Sequence, residues 1–161
     1  MNKFIRIMEK IQLTVGVLFL SVFFLAIMIQ IVTRHLGISV IWTEEVANYS
    51  FIWAVFMGAA VMVNRRDHFS FDLLQRKLKN KSKASLNIVN DLVLLLFNSA
   101  IFFYGLQVVE RFWSYNWTAL PQMKMGYVWI AIPIMAGTMI VYTAAHLIGH
   151  VKELQTKGVK Q

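Results

Sequence analysis

The residues of this 161-residue chain that could do chemistry fall into a few clusters. Arg34 precedes the adjacent carboxylates Glu44 and Glu45; Arg65, Arg66, Asp67 and His68 form one run; His146 and His150 stand one helical turn apart. Carboxylates near a cation suit an ion or proton site, and paired histidines suit a haem-bearing membrane anchor. Spacing argues against both. Val46 to Asn64 is an uncharged run of 19 residues, and at about 1.5 Å per residue such a run crosses a hydrocarbon core of roughly 30 Å. The acidic and basic clusters therefore belong to opposite surfaces. His146 and His150 share one helix face and cannot clamp one iron from two sides, while His35 lies at the other surface and leaves only His68 as a distant partner. A haem-binding anchor subunit of a respiratory enzyme is kept as the alternative reading, with interfacial, structural histidines preferred.

The elements that carry these residues are membrane spans. The chain is 58% hydrophobic and 15% charged, and long uncharged blocks recur along its whole length, which leaves no room for a separate soluble module. The expected fold is an all-α integral membrane protein, a single domain over 1–161 with four spans at about 11–33, 46–63, 92–109 and 125–145. The first run is longer than a signal-peptide core and ends at Arg34 and His35, so it reads as a retained span. Cysteine is absent, which excludes disulfides and thiolate metal sites. No expected span holds an ionisable residue near its middle, unlike proton relays, ion-coupled carriers and small multidrug exporters.

Charge then orients the spans. Thirteen of the sixteen lysines and arginines fall in the amino-terminal flank, the loop after the second span and the carboxy-terminal tail; only Arg34, Arg111 and Lys124 lie on the other face. Both termini are therefore expected in the cytoplasm, and the net charge of +8 reads as topology and attraction to anionic lipid rather than nucleic-acid binding. Over 69–79, Phe71, Leu74 and Leu78 share one side of a helical wheel, which predicts a short amphipathic helix on the cytoplasmic surface. Asn80 to Ser85 reads as a break after it. Trp113, Trp117 and Trp129 suit the lipid headgroup level opposite, and Pro133 predicts a kink in the last span.

Within the second span, Ala47, Ser50, Ala54 and Gly58 make one nearly flat face for close packing inside the bundle. Glu45, Tyr49 and Phe56 lie on the opposite side, free for a partner. Thr43 reads as the helix N-cap, with Glu44 and Glu45 at the positive end of the helix dipole. Gln30, Asn98 and Gln107 read as interhelical hydrogen-bonding residues.

Taken in order, these residues resemble a family. Arg34, a short Gly-containing turn, Trp42-Thr43-Glu44-Glu45, an aromatic span ending Phe56-Met57-Gly58-Ala59-Ala60, then Arg65-Arg66-Asp67-His68 before Asp72-Leu73-Leu74 resemble the small membrane subunit, DctQ type, of tripartite ATP-independent periplasmic (TRAP) transporters. His35, Ser39, Val40 and the Arg66-Asp67 pair depart from the usual pattern. The resemblance implies a non-enzymatic scaffold in the bacterial inner membrane. Its partners would be a large permease subunit that holds the substrate and sodium sites, and a periplasmic binding protein that delivers an organic acid such as a sialic acid or a C4-dicarboxylate. No cofactor is implied in this subunit. It further implies a partner interface at Arg34, Trp42, Glu44, Glu45, Tyr49, Phe56, Arg65, Arg66, Asp67 and His68.

Overall fold

The computed structural model describes the backbone of residues 3–65 and 80–158 and the side chains of 3–65 and 85–151. The calls on Arg66, Asp67, His68 and the 69–79 helix with Phe71, Leu74 and Leu78 lie outside the described residues. Five helices are described: α1 (Lys3–His35), α2 (Trp42–Arg65), α3 (Asn80–Phe112), the single turn α4 (Gly126–Trp129) and α5 (Ala131–Gly158). Four segments are long and apolar enough to cross a membrane: Lys3–His35, Trp42–Arg65, Ser85–Phe112 and Gly126–Val151. The chain is thus an all-α, multi-pass membrane protein.

Local chemistry explains the boundaries. α1 stops at Gly37, whose φ of 72° favours glycine, and the Ile38 N–H bonds the Thr33 carbonyl at 2.9 Å while the Gly37 N–H bonds that of Arg34 at 3.2 Å. That pair of bonds is a Schellman cap. α2 begins one residue before Thr43, and the Thr43 hydroxyl donates back to the Val40 carbonyl at 3.1 Å rather than accepting from the first turn. Asn80 to Ser85 is the start of α3, not a break. The last span is interrupted where the proline predicts it: Pro133 has no N–H for the Trp129 carbonyl, and α4 and α5 are separated at Ile130.

The four spans form an open row. The extensive contacts are α1 with α2, α2 with α5, and α5 with α3. Burial follows this order, since 33% and 44% of the α2 and α5 spans are buried against 11% for α1 and for α3. Small residues set the seams. A methyl group on Gly16 of α1 would sit 3.3 Å from the Met57 side chain of α2, and one on Gly105 of α3 would meet Ile132 at 2.9 Å and Pro133 at 3.3 Å. Phe19 stacks on Trp53 across the first seam. The buried core gathers Ile5 from α1, Ala60 and Val63 from α2, and Met135, Met139 and Tyr142 from α5, so the amino-terminal part of α1 leans onto α5. There the Tyr142 hydroxyl donates to Gln12 Oε1 at 2.6 Å and Gln12 Nε2 donates to Thr138 at 2.7 Å. No donor in that trio faces hydrocarbon alone, which is the condition for a polar side chain at membrane depth.

Candidate partner interface

At the Trp42 end of the row, the segment between α3 and α4 folds over α2. Its hairpin is closed by a bridge between Asn116 and Lys124, with the Trp117 N–H on the Met123 carbonyl at 2.9 Å and the Met125 N–H on the Tyr115 carbonyl at 2.8 Å. Three residues of α2 fasten it. Glu45 accepts the backbone N–H of Thr118 on Oε1 at 2.8 Å and that of Ala119 on Oε2 at 2.9 Å. Tyr49 packs its ring against Trp117, centroids 4.4 Å apart, and Trp53 Nε1 donates to the Tyr127 carbonyl at 3.0 Å. The spacing 45, 49, 53 is one residue per turn along a single line, so one face of α2 holds the segment and the α4 turn that follows it.

Each expected interface residue at this end can now be placed. Glu45 and Tyr49 are engaged within the chain, and so is Phe56, which packs against the core. Trp42, Arg34 and Glu44 are exposed. Arg34 and Glu44 line the same groove of about 420 Å³ together with Gln30, and neither forms an ion pair among the described residues. Of the indoles expected at headgroup level, Trp113 is 39% exposed with Lys124 over its ring, and Trp129 is half-buried against Phe112. Trp117, at 9% exposure, is part of the interior.

The Arg65 end is knitted by polar groups from all four spans. Glu9 of α1 accepts Arg65 Nε at 2.7 Å and Asn64 Nδ2 at 2.8 Å. His146 of α5 contacts the Asn64 carbonyl at 3.0 Å, and His150 Nδ1 lies 2.9 Å from Asp91 of α3. Asp91 is buried, about three turns inside a helix that starts at Asn80. His146 and His150 thus each have a structural contact, and among the described residues no three histidine or carboxylate side chains gather as a metal site. The haem reading draws no support from this arrangement.

The small face of α2 divides. Ala47 and Ser50 are buried, whereas Ala54 and Gly58 are half-buried against Gly16 of α1 and border an open, mainly apolar groove of about 240 Å³. Glu9, Gln12, Gly16 and Asp91 carry contacts that sequence reasoning passed over. Glu9 stands among cationic residues, Gln12 is the second residue of an apolar run, and Asp91 immediately precedes the expected third span. For Glu9, Gln12 and Asp91 the signal was a polar side chain at the edge of an apolar run, and for Gly16 a glycine inside one.

Comparison with known proteins adds to this geometry. The model of a family described as "Tripartite ATP-independent periplasmic transporters, DctQ component" matches residues 23–153. The chain is 24% identical over 153 residues to the isethionate TRAP transporter permease protein DctMQ of Oleidesulfovibrio alaskensis, covering 89% of this chain and 24% of that protein. It is 25% identical over 126 residues to the sialic acid TRAP transporter permease protein SiaT of Haemophilus influenzae, covering 78% of this chain and 20% of that protein. Against the sialic acid TRAP transporter small permease protein SiaQ of Vibrio cholerae it is 28% identical over 71 residues, 44% of this chain and 41% of the other. The chain therefore spans less than half the length of each of these relatives.

Proposed function

Because the chain belongs to the DctQ family of tripartite ATP-independent periplasmic transporters, we propose that it serves as the small membrane subunit that scaffolds a large permease for solute uptake. It is a transport component rather than an enzyme. The observation that carries the reading is the family match across residues 23–153, which takes in parts of all four spans. The side-chain geometry supports a scaffold: at the Arg65 end Glu9 is tied to Arg65 and Asp91 to His150, and Glu45 is tied to backbone. Transport sites keep such groups available to solute or ion.

In this proposal the substrate and the coupling sodium are held by the large permease, no cofactor resides in this subunit, and a periplasmic binding protein delivers an organic acid of the sialic acid or C4-dicarboxylate type. Two relatives carry sialic acid in their names and a third isethionate, which supports an acidic solute. The lysine and arginine distribution supports an inner-membrane orientation with both termini in the cytoplasm and the Trp42 end facing the periplasm. Phe71, Leu74 and Leu78 would lay a short amphipathic helix along the cytoplasmic surface, beside an inner contact at Arg66, Asp67 and His68. The test is purification from native membranes in mild detergent, followed by reconstitution. The complex should recover a large multi-span protein and take up an organic acid with a sodium gradient, whereas this chain alone should move none. Sodium-dependent uptake by the chain alone would overturn the scaffold reading.

A further inference from the structure

We propose that the groove between the end of α1 and the start of α2 binds the zwitterionic headgroup of a phosphatidylethanolamine molecule, with Arg34 on its phosphate and Glu44 on its ammonium group. Such a site needs only this chain and does not rest on the scaffold reading.

Arg34 stands in the last turn of α1 and Glu44 in the first turn of α2. Both are exposed and line one groove of about 420 Å³, and neither side chain forms an ion pair or a hydrogen bond among the described residues. In open water such charges would simply be hydrated, since exposed ion pairs gain little. The turn that carries them is not built for open water. Leu36, Ile38, Ile41 and Trp42, all between the two charges, have exposed side chains, and apolar residues beside an indole at the end of two spans suit the level where headgroups meet acyl chains. Charges held at that level need partners.

Gln30 is a third unmet group. It lies one turn before Arg34 on the same side of α1 and is half-buried on the groove wall. Its backbone carbonyl accepts the Thr33 hydroxyl at 3.2 Å, but its side-chain amide forms no hydrogen bond among the described residues. Arg34 also borders a second, mainly apolar groove of about 570 Å³ with Ile31, Val32 and Leu36.

One lipid answers all of these. The guanidinium fork takes two phosphate oxygens, and a primary ammonium brings three N–H donors to the Glu44 carboxylate. One turn deeper, the Gln30 amide is at the level of the ester carbonyls, and the apolar groove takes the start of an acyl chain. Other headgroups answer less: phosphatidylglycerol satisfies Arg34 but sets a net negative charge against Glu44, and choline has no N–H to give. Another protein chain and bulk water are the competing occupants.

The full chain would be purified from native membranes in mild detergent and titrated with phosphatidylethanolamine, phosphatidylcholine or phosphatidylglycerol of identical acyl chains, with retained lipid counted by native mass spectrometry. Phosphatidylethanolamine should bind about tenfold more tightly than the other two, and Arg34→Gln or Glu44→Gln should each abolish that preference. Arg34→Lys, which keeps the charge, should retain part of it, and Arg111→Gln, at an exposed cation in the last turn of α3, should leave it unchanged. Equal retention of the three lipids, or a preference that survives both Gln substitutions, would overturn the site. Occupancy in the membrane is read separately. The chain has no cysteine, so Ser39→Cys on the groove wall can carry a benzophenone maleimide, and irradiation in native membranes should give lipid adducts. Adducts with protein alone would show another chain over the groove and sink the proposal.

Discussion

Glu45→Ala tests the link between α2 and the segment that folds over it. The substitution removes both acceptors for the Thr118 and Ala119 N–H groups. A hydrogen bond to a charged acceptor contributes about 1.5 to 3 kcal/mol net. Thr118 is exposed and water replaces its lost partner, whereas Ala119 is half-buried, so the closed segment should lose about 2 to 3 kcal/mol. The Tyr49–Trp117 contact and the Trp53 bond to Tyr127 remain, and the segment should loosen locally without unfolding the spans. Because each 1.4 kcal/mol is tenfold, amide exchange at residues 118 and 119 should quicken about 30- to 150-fold, read by hydrogen–deuterium exchange of the peptide that contains them. Glu45→Gln keeps one accepting oxygen and should show a smaller rise. Glu44→Ala, one position away and without a hydrogen bond among the described residues, should leave this exchange unchanged. Equal protection in Glu45→Ala and the unsubstituted protein would refute the assignment of Glu45 as the fastening residue.

Two further substitutions probe the seams. Gly126→Ala would drive a methyl group into the Trp113 ring, and the overpacking should cost about 1 to 3 kcal/mol, seen as a lower melting temperature in detergent; an unchanged melt would show that the ring yields freely. Gln12→Leu should destabilise by about 1 to 2 kcal/mol, given the modest strength of interhelical hydrogen bonds in membranes, and should strand the Tyr142 hydroxyl. Combining it with Tyr142→Phe should then cost less than the sum of the single changes, and strict additivity in denaturant unfolding would argue that the two side chains act independently.

The spans were legible because long uncharged runs leave few alternatives in 161 residues. The break at Pro133 was legible for a similar reason: a missing N–H is a property of the residue itself. What composition hid was pairing across helices. Glu45 and Tyr49 were placed by their spacing on a side of α2 free for a partner, yet one binds backbone and the other packs on Trp117, because the α3–α4 segment folds onto the line through residues 45, 49 and 53. Ala54 and Gly58 were read as packed with Ala47 and Ser50, and Gly16 of α1 does close on them and on Met57, yet the crossing leaves a groove open beside the contact. Periodicity reports which residues share a face; it carries no information about where a neighbouring helix crosses. Asp91 escaped notice because hydropathy finds the apolar stretch of a helix, and α3 starts well before its own.

The row of helices has one more consequence, for how the chain tolerates sequence change. A closed bundle keeps bulky aliphatics inside and loses most when they are trimmed. Here, among the described residues, five of the fourteen buried hydrophobic ones are alanines, Ala26, Ala47, Ala60, Ala131 and Ala136, while many leucines, isoleucines and phenylalanines of α1 and α3 point outward. Trimming has little volume to remove from such an interior, whereas enlargement has nowhere to go. A saturation library of this chain should therefore be lopsided: broad tolerance for shortening apolar side chains along the outer helices, and intolerance concentrated at alanine and glycine positions along the seams, where added atoms pry neighbouring helices apart.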